Sequence, residues 1–126
     1  MSSLQGYTEF KHFLVSSPVE YVAFVEINRP EKLNAFFEEM WIEFGKVFEQ
    51  LSHDPEVRAV VLSGAGDRAF TAGLDVQAAT QNPVLSGGDP NLDAARRATT
   101  NRRHLLEFQN CIGQVEKCEK RKWKYI

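Results

Sequence analysis

Two kinds of hydrophobic pattern alternate along the chain. Residues 10–15 (FKHFLV) and 21–27 (YVAFVEI) are short runs rich in β-branched and aromatic side chains, parted by SSPVE. Such runs pack well on a pleated surface and Pro18 suits a turn, so they predict a hairpin or two adjacent strands. Asn28, Arg29 and Pro30 break the second run. Beyond them Phe37, Met40, Trp41, Phe44, Val47, Phe48 and Leu51 recur at helical spacing and lay one buried stripe along a helix. Asn34 is its expected N-cap, and Glu38 and Glu39 stand at the positive end of the helix dipole. His53, Asp54 and Pro55 end that helix. Residues 57–62 (VRAVVL) are then nearly all apolar up to Ser63 and Gly64, the pattern of a strand covered on both faces. Strand, helix and strand within about forty residues make a βαβ unit, with parallel strands and a right-handed crossover. The predicted fold class is α/β.

The pattern is looser after that strand. GAGDRAFTAGLDV (64–76) leads into QNPVLSGGDPN (81–91), where Pro83, Gly87, Gly88 and Pro90 mark a loop. From Leu92 to about Cys118 the spacing is helical again, with Leu105, Phe108, Ile112 and Val115 on the expected inner face. Asp93 and Lys117 suit its two dipole ends. The stretch KCEKRKWKYI carries Lys117, Lys120, Arg121, Lys122 and Lys124, and reads as a solvated helix end or a stray terminus rather than a phosphate-binding surface.

Composition narrows the function classes. A chain of 126 residues, 43% hydrophobic and 25% charged, has the length and balance of one folded domain and excludes a disordered tail. Lys and Arg number 15 against 17 Asp and Glu, so no basic field exists to hold nucleic acid. Cys111 and Cys118 have neither CxxC spacing nor flanking histidine ligands and read as reduced thiols, with a disulfide as the alternative; no metal site is expected. No run approaches the roughly 18 apolar residues of a membrane helix, and the start shows no secretory leader. The last three residues do not spell a peroxisomal address.

Candidate chemistry lies in the glycine-rich segment, because ligands of open α/β sheets collect beyond the carboxyl ends of strands. GAGDRA (64–69) matches a dinucleotide-binding loop, but the aromatic, β-branched FTAGLDV follows where a long helix should begin. Ala72 and Gly73 suggest another use. They bring little side-chain bulk, so the backbone N–H of Leu74 can face a ligand oxygen as in an oxyanion hole. A bulge or tight turn at a strand end explains the same residues.

NRPEKLNA (28–35), VRAVVLSGAGDRAF (57–70) and TAGLDV (71–76), in this order and spacing, resemble the first half of the crotonase superfamily, the enoyl-CoA hydratase/isomerase family. The resemblance spans residues 8–120, a partial crotonase-like domain, and leaves 121–126 as a divergent basic tail. It implies the N-terminal part of a ββα spiral fold. The Arg-rich segment 94–120 most resembles the dienoyl-CoA isomerase branch, which moves 3,5-dienoyl-CoA double bonds to the 2,4 position in fatty acid β-oxidation. By the resemblance, Lys32, Leu33 and Ala35, with Ala69, Thr71, Ala72, Gly73, Leu74 and Asp75, line the CoA and acyl pocket. The Leu74 N–H is one of two donors to the thioester carbonyl. Asp75 matches no family acid or base, and His12, His53 and His104 match no catalytic position. The acyl-CoA is substrate, and no separate cofactor is implied.

The resemblance also implies what should follow: an apolar strand, a second N–H donor, the acid/base carboxylates and helices that build a trimer. RKWKYI stands there instead, so the sequence is expected to be a truncated member, inactive alone. Peroxisome or mitochondrion is implied by the family, and cytosol if the truncation is real. Enoyl-CoA hydration is the alternative activity. A non-catalytic fragment that binds full-length family subunits is the alternative role.

Overall fold

The computed structural model describes residues 2–3, 6–81 and 88–125. Five strands form one sheet in the order β1 (Ser2–Ser3), β2 (Phe13–Val19), β3 (Val22–Ile27), β4 (Ala59–Gly64) and β5 (Arg121–Tyr125). β1 to β3 pair antiparallel, whereas β3, β4 and β5 run parallel. Helix α1 (Glu38–His53) joins β3 to β4, and α2 (Val76–Thr80) and α3 (Ala94–Lys117) join β4 to β5. The α/β class and the βαβ unit are as expected.

The hairpin forms, but its turn is not at Pro18. β2 continues through Pro18 to Val19, with its register shifted between Ser16 and Val19, and Tyr21 turns the chain at φ 66°. A bulge is where a strand tolerates the missing proline N–H. On β3, Ala23, Val25 and Ile27 are buried and alternate with half-exposed Val22, Phe24 and Glu26. These inward residues, with Phe13, Val15 and Val60, meet the apolar stripe of α1: Met40, Trp41, Phe44, Val47, Phe48 and Leu51. Phe13, Phe36, Phe44 and Phe48 interlock with ring centroids 4.9–5.9 Å apart. Gly45 lets α3 come close, since a Cβ there would stand 3.0 Å from the Cys111 Cα.

Several expectations need correction. Asn34 does not cap α1; Phe37 occupies that position and makes no side-chain cap hydrogen bond. The strand expected over 57–62 runs from Ala59 to Gly64. Its cover is uneven: Val60 and Ser63, on opposite faces, are buried, whereas Ala59, Val61 and Leu62 are half-exposed. Leu105 is 52% exposed rather than packed inward, and no residue of α3 is fully buried. α3 lies on α1 through the half-buried Phe108, Cys111, Ile112 and Val115. Lys117 ends α3 as expected, but the rest of the basic segment forms a strand, because Arg121–Tyr125 pairs residue by residue with Ala59–Ser63. Its charged side chains stay exposed while the backbone completes the ladder, and lysines on an edge strand discourage further pairing. In the expected loop 81–91, Pro83 and Gly87 lie outside the described residues; Gly88 follows at φ 82°.

Candidate functional site

The site is built where two loops at the carboxyl ends of β3 and β4 are locked together. Asn34 is the junction. It is fully buried in the left-handed region at φ 58°, a conformation asparagine tolerates better than most residues. Its Oδ1 accepts the Arg29 N–H at 2.9 Å, and its Nδ2 donates to the carbonyls of Ala65 at 3.0 Å and Ala69 at 2.9 Å. Its own carbonyl accepts the Thr71 hydroxyl at 2.6 Å. Gly64 is required by this approach: a Cβ there would collide with the Phe70 carbonyl and stand 2.8 Å from the Ala69 carbonyl and the Asn34 amide.

A second clamp lies one turn away. The Arg29 guanidinium donates to the Ala35 carbonyl and to Asp75 Oδ2, each at 2.9 Å, and its cation sits 4.5 Å from the Phe37 ring centroid. Asp75 Oδ1 accepts the Ala78 N–H at 3.0 Å and caps α2. That backbone bond, followed by the Arg29 hydrogen bond, holds the Asp75 carboxyl below its usual pKa.

Between the clamps, Phe36 and Leu74 form a parallel bridge. The Phe36 N–H donates to the Gly73 carbonyl and the Asp75 N–H to the Phe36 carbonyl, both at 2.7 Å. This pairing uses the groups on either side of Leu74 and, by the alternation of an extended backbone, turns the Leu74 N–H the other way. No acceptor for it exists among the described residues. Gly73 reaches φ 89° with open space around it, and its N–H bonds the Thr71 hydroxyl at 3.1 Å.

Beside Leu74 is a cavity of about 280 Å³ between the strand ends, α1 and α3. Ile27, Leu62, Phe44, Phe70, Phe108 and Ile112 are among its walls, and among the described residues none that lines it is titratable. It is a place for a hydrocarbon and not for a charge. Of the residues expected at the site, Thr71, Gly73 and Leu74 line this cavity. Leu33 and Ala72 are joined by an N–H to carbonyl bond of 3.0 Å, and Ala35 and Ala69 serve the clamps through their carbonyls. Lys32 is exposed on the 3-10 turn Pro30–Lys32, near enough to favour the ionised Asp75. Asp75 directs its carboxylate into the protein.

The aromatic walls were not expected at a site, because a phenylalanine on a buried helical stripe looks the same whether it faces core or cavity. Asn34 is assigned above to the wrong task for a related reason: its type signals a cap or a turn, not which one. Of the histidines, His104 stacks edge-on against Trp41 and His53 caps its own helix backbone.

Among the described residues this arrangement leaves the Leu74 N–H without a partner beside an apolar cavity at the ends of parallel strands. Residues 19–100 match the enoyl-CoA hydratase/isomerase family model, and the chain belongs to that family. It is 37% identical over 111 residues to the mitochondrial Δ(3,5)-Δ(2,4)-dienoyl-CoA isomerase of Mus musculus, covering 88% of this chain and 33% of the relative. The peroxisomal enzyme of the same name from Arabidopsis thaliana is 33% identical over 94 residues, covering 75% of this chain and 33% of the relative. Among solved structures, an enoyl-CoA hydratase from Shewanella pealeana superposes at a TM-score of 0.72 and 20% identity, over 92% of this chain and 39% of that one. The fold is therefore part of the crotonase fold, and the chain spans about a third of the length of the curated relatives it matches.

Proposed function

We propose that these residues form the first half of a site for a fatty acyl-CoA thioester, of the dienoyl-CoA isomerase type. The observation that carries this reading is the Leu74 N–H, which has no partner among the described residues, beside an apolar cavity. Removing a proton from a carbon conjugated to a thioester places enolate charge on the carbonyl oxygen. A fixed N–H aimed at that oxygen lowers the barrier by about 3 kcal/mol in a site shielded from water. The acyl chain would lie along Phe70, Phe108 and Ile112, and Lys32, Leu33, Ala35, Ala69 and Ala72 would border the CoA. The relatives' names favour movement of a double bond over hydration.

Proton transfer is the step these residues do not supply. Among the described residues no carboxylate or histidine lines the cavity, and acid/base groups contribute about 100- to 10,000-fold to such rates. The 126-residue chain should therefore bind an acyl-CoA without turning it over. Isothermal titration with octanoyl-CoA and with free CoA, beside a spectrophotometric assay on a 3,5-dienoyl-CoA, tests both parts. Acyl-dependent binding with no isomerisation is expected. Turnover near that of a full-length dienoyl-CoA isomerase would overturn the assignment of roles, and equal affinity for CoA and octanoyl-CoA would remove the cavity from the site.

A further inference from the structure

A second group of chemically able side chains lies away from that cavity. His12, just before β2, faces Glu39 and Glu43 on the first two turns of α1, and one ligand atom from each lies within 4.8 Å of the other two. We propose that His12 Nε2, Glu39 Oε2 and Glu43 Oε2 bind a divalent transition metal of the zinc class.

The geometry of His12 Nε2 carries the inference. This nitrogen is shielded from solvent and has no hydrogen-bond partner. It lies 3.7 Å from Glu39 Oε2 and 3.7 Å from Glu43 Oε2, too far for a hydrogen bond to either. Ligands sharing one tetrahedral zinc at about 2.0–2.1 Å lie about 3.3 Å apart, so small side-chain rotations close this triangle on an ion.

Two of the three ligands are already held. Glu43 Oε1 accepts the backbone N–H groups of Lys11 at 2.8 Å and His12 at 3.2 Å, which leaves Oε2 turned to the imidazole. The His12 carbonyl accepts the Asn28 N–H at 2.8 Å, and its ring meets Phe37 edge-on at 5.0 Å. Glu39 is half-exposed and closes the set from the solvent side, where water can complete the coordination. Lys11 Nζ, 3.6 Å from Glu39 Oε1, touches the oxygen the metal does not need. Two carboxylates neutralise a dication, and the imidazole nitrogen selects zinc, cobalt or nickel over magnesium and calcium. An ion here would tie the start of β2 to the start of α1.

The test is zinc titrated into the chelator-treated 126-residue chain, with cobalt as the spectroscopic probe. One equivalent of zinc should bind, and cobalt should give d–d bands without strong thiolate charge transfer. Glu39→Gln and His12→Gln should each weaken zinc at least tenfold, whereas Glu49→Gln and Cys111→Ser should not. Zinc should raise the melting temperature of the parent chain and leave that of Glu39→Gln unmoved; Glu39 is exposed enough to be changed without loss of the fold, which circular dichroism checks. No zinc uptake, uptake that both ligand variants leave intact, or a cobalt spectrum dominated by thiolate would overturn the site.

Discussion

Asn34 joins distant parts of the chain, because its amide donates to carbonyls 31 and 35 positions away in sequence. Asn34→Ala would strand the Arg29 N–H and the carbonyls of Ala65 and Ala69, and would hold an alanine at φ 58°. Each buried group left unpaired costs about 1–3 kcal/mol, so a loss of about 4 kcal/mol is expected by urea unfolding. Asn34→Gly removes the backbone strain and keeps the unpaired groups; recovering about 1 kcal/mol relative to alanine separates the two effects. Asp75 acts through charge instead. Its folded pKa is depressed, so the stabilisation it gives is complete above the unfolded carboxylate value near pH 4 and is lost as pH falls through the lower folded value. Between about pH 5 and pH 2 the parent chain should lose stability more steeply than Asp75→Asn. Parallel slopes would show that the clamp of Arg29 and Asp75 adds nothing to stability.

At the scale of elements, the end of β4 is the most constrained point. Gly64 closes the strand under the Ala69 and Phe70 carbonyls, which belong to the backbone and cannot rotate away. Gly64→Ala should destabilise by about 3 kcal/mol, read as a fall in the urea midpoint, and should weaken octanoyl-CoA binding by moving the loop that carries Leu74. An unchanged midpoint would mean that the two loops are not packed as described. β5 shows how far an element can depart from its pattern. Arg121, Lys122 and Lys124 carry no core-facing hydrophobicity, yet the segment is a strand because β4 offers a parallel edge after α3 has returned the chain to it. Lys122 reinforces the turn by donating to the Cys118 carbonyl at 2.6 Å. α3 departs in the other direction. Its helical spacing and its Asp93 cap are legible locally, but which face it buries depended on where α1 lay, and Leu105 lost that place while Phe108 kept it.

For the whole molecule, the segment 19–100 that matches the family model includes the parallel pair β3 and β4 and the loops at their carboxyl ends, beside which the apolar cavity lies. On the proposed reading such a site would hold and polarise a thioester, so binding and turnover are measured apart. Much of this was legible in the residues. Period-two and period-three-to-four spacing identified β3, α1 and α3, because a strand or helix that covers a core must repeat its apolar residues at its own pitch. The motifs NRPEKLNA and TAGLDV pointed to the loops of the candidate site through the family resemblance. Tertiary structure decided the rest. It gave Asn34 its three partners, turned Arg121–Tyr125 into β5, left β4 unevenly covered and set His12 beside Glu39 and Glu43. Each of these depends on groups distant in sequence meeting in space, and no local spacing encodes which of several polar or apolar neighbours will arrive.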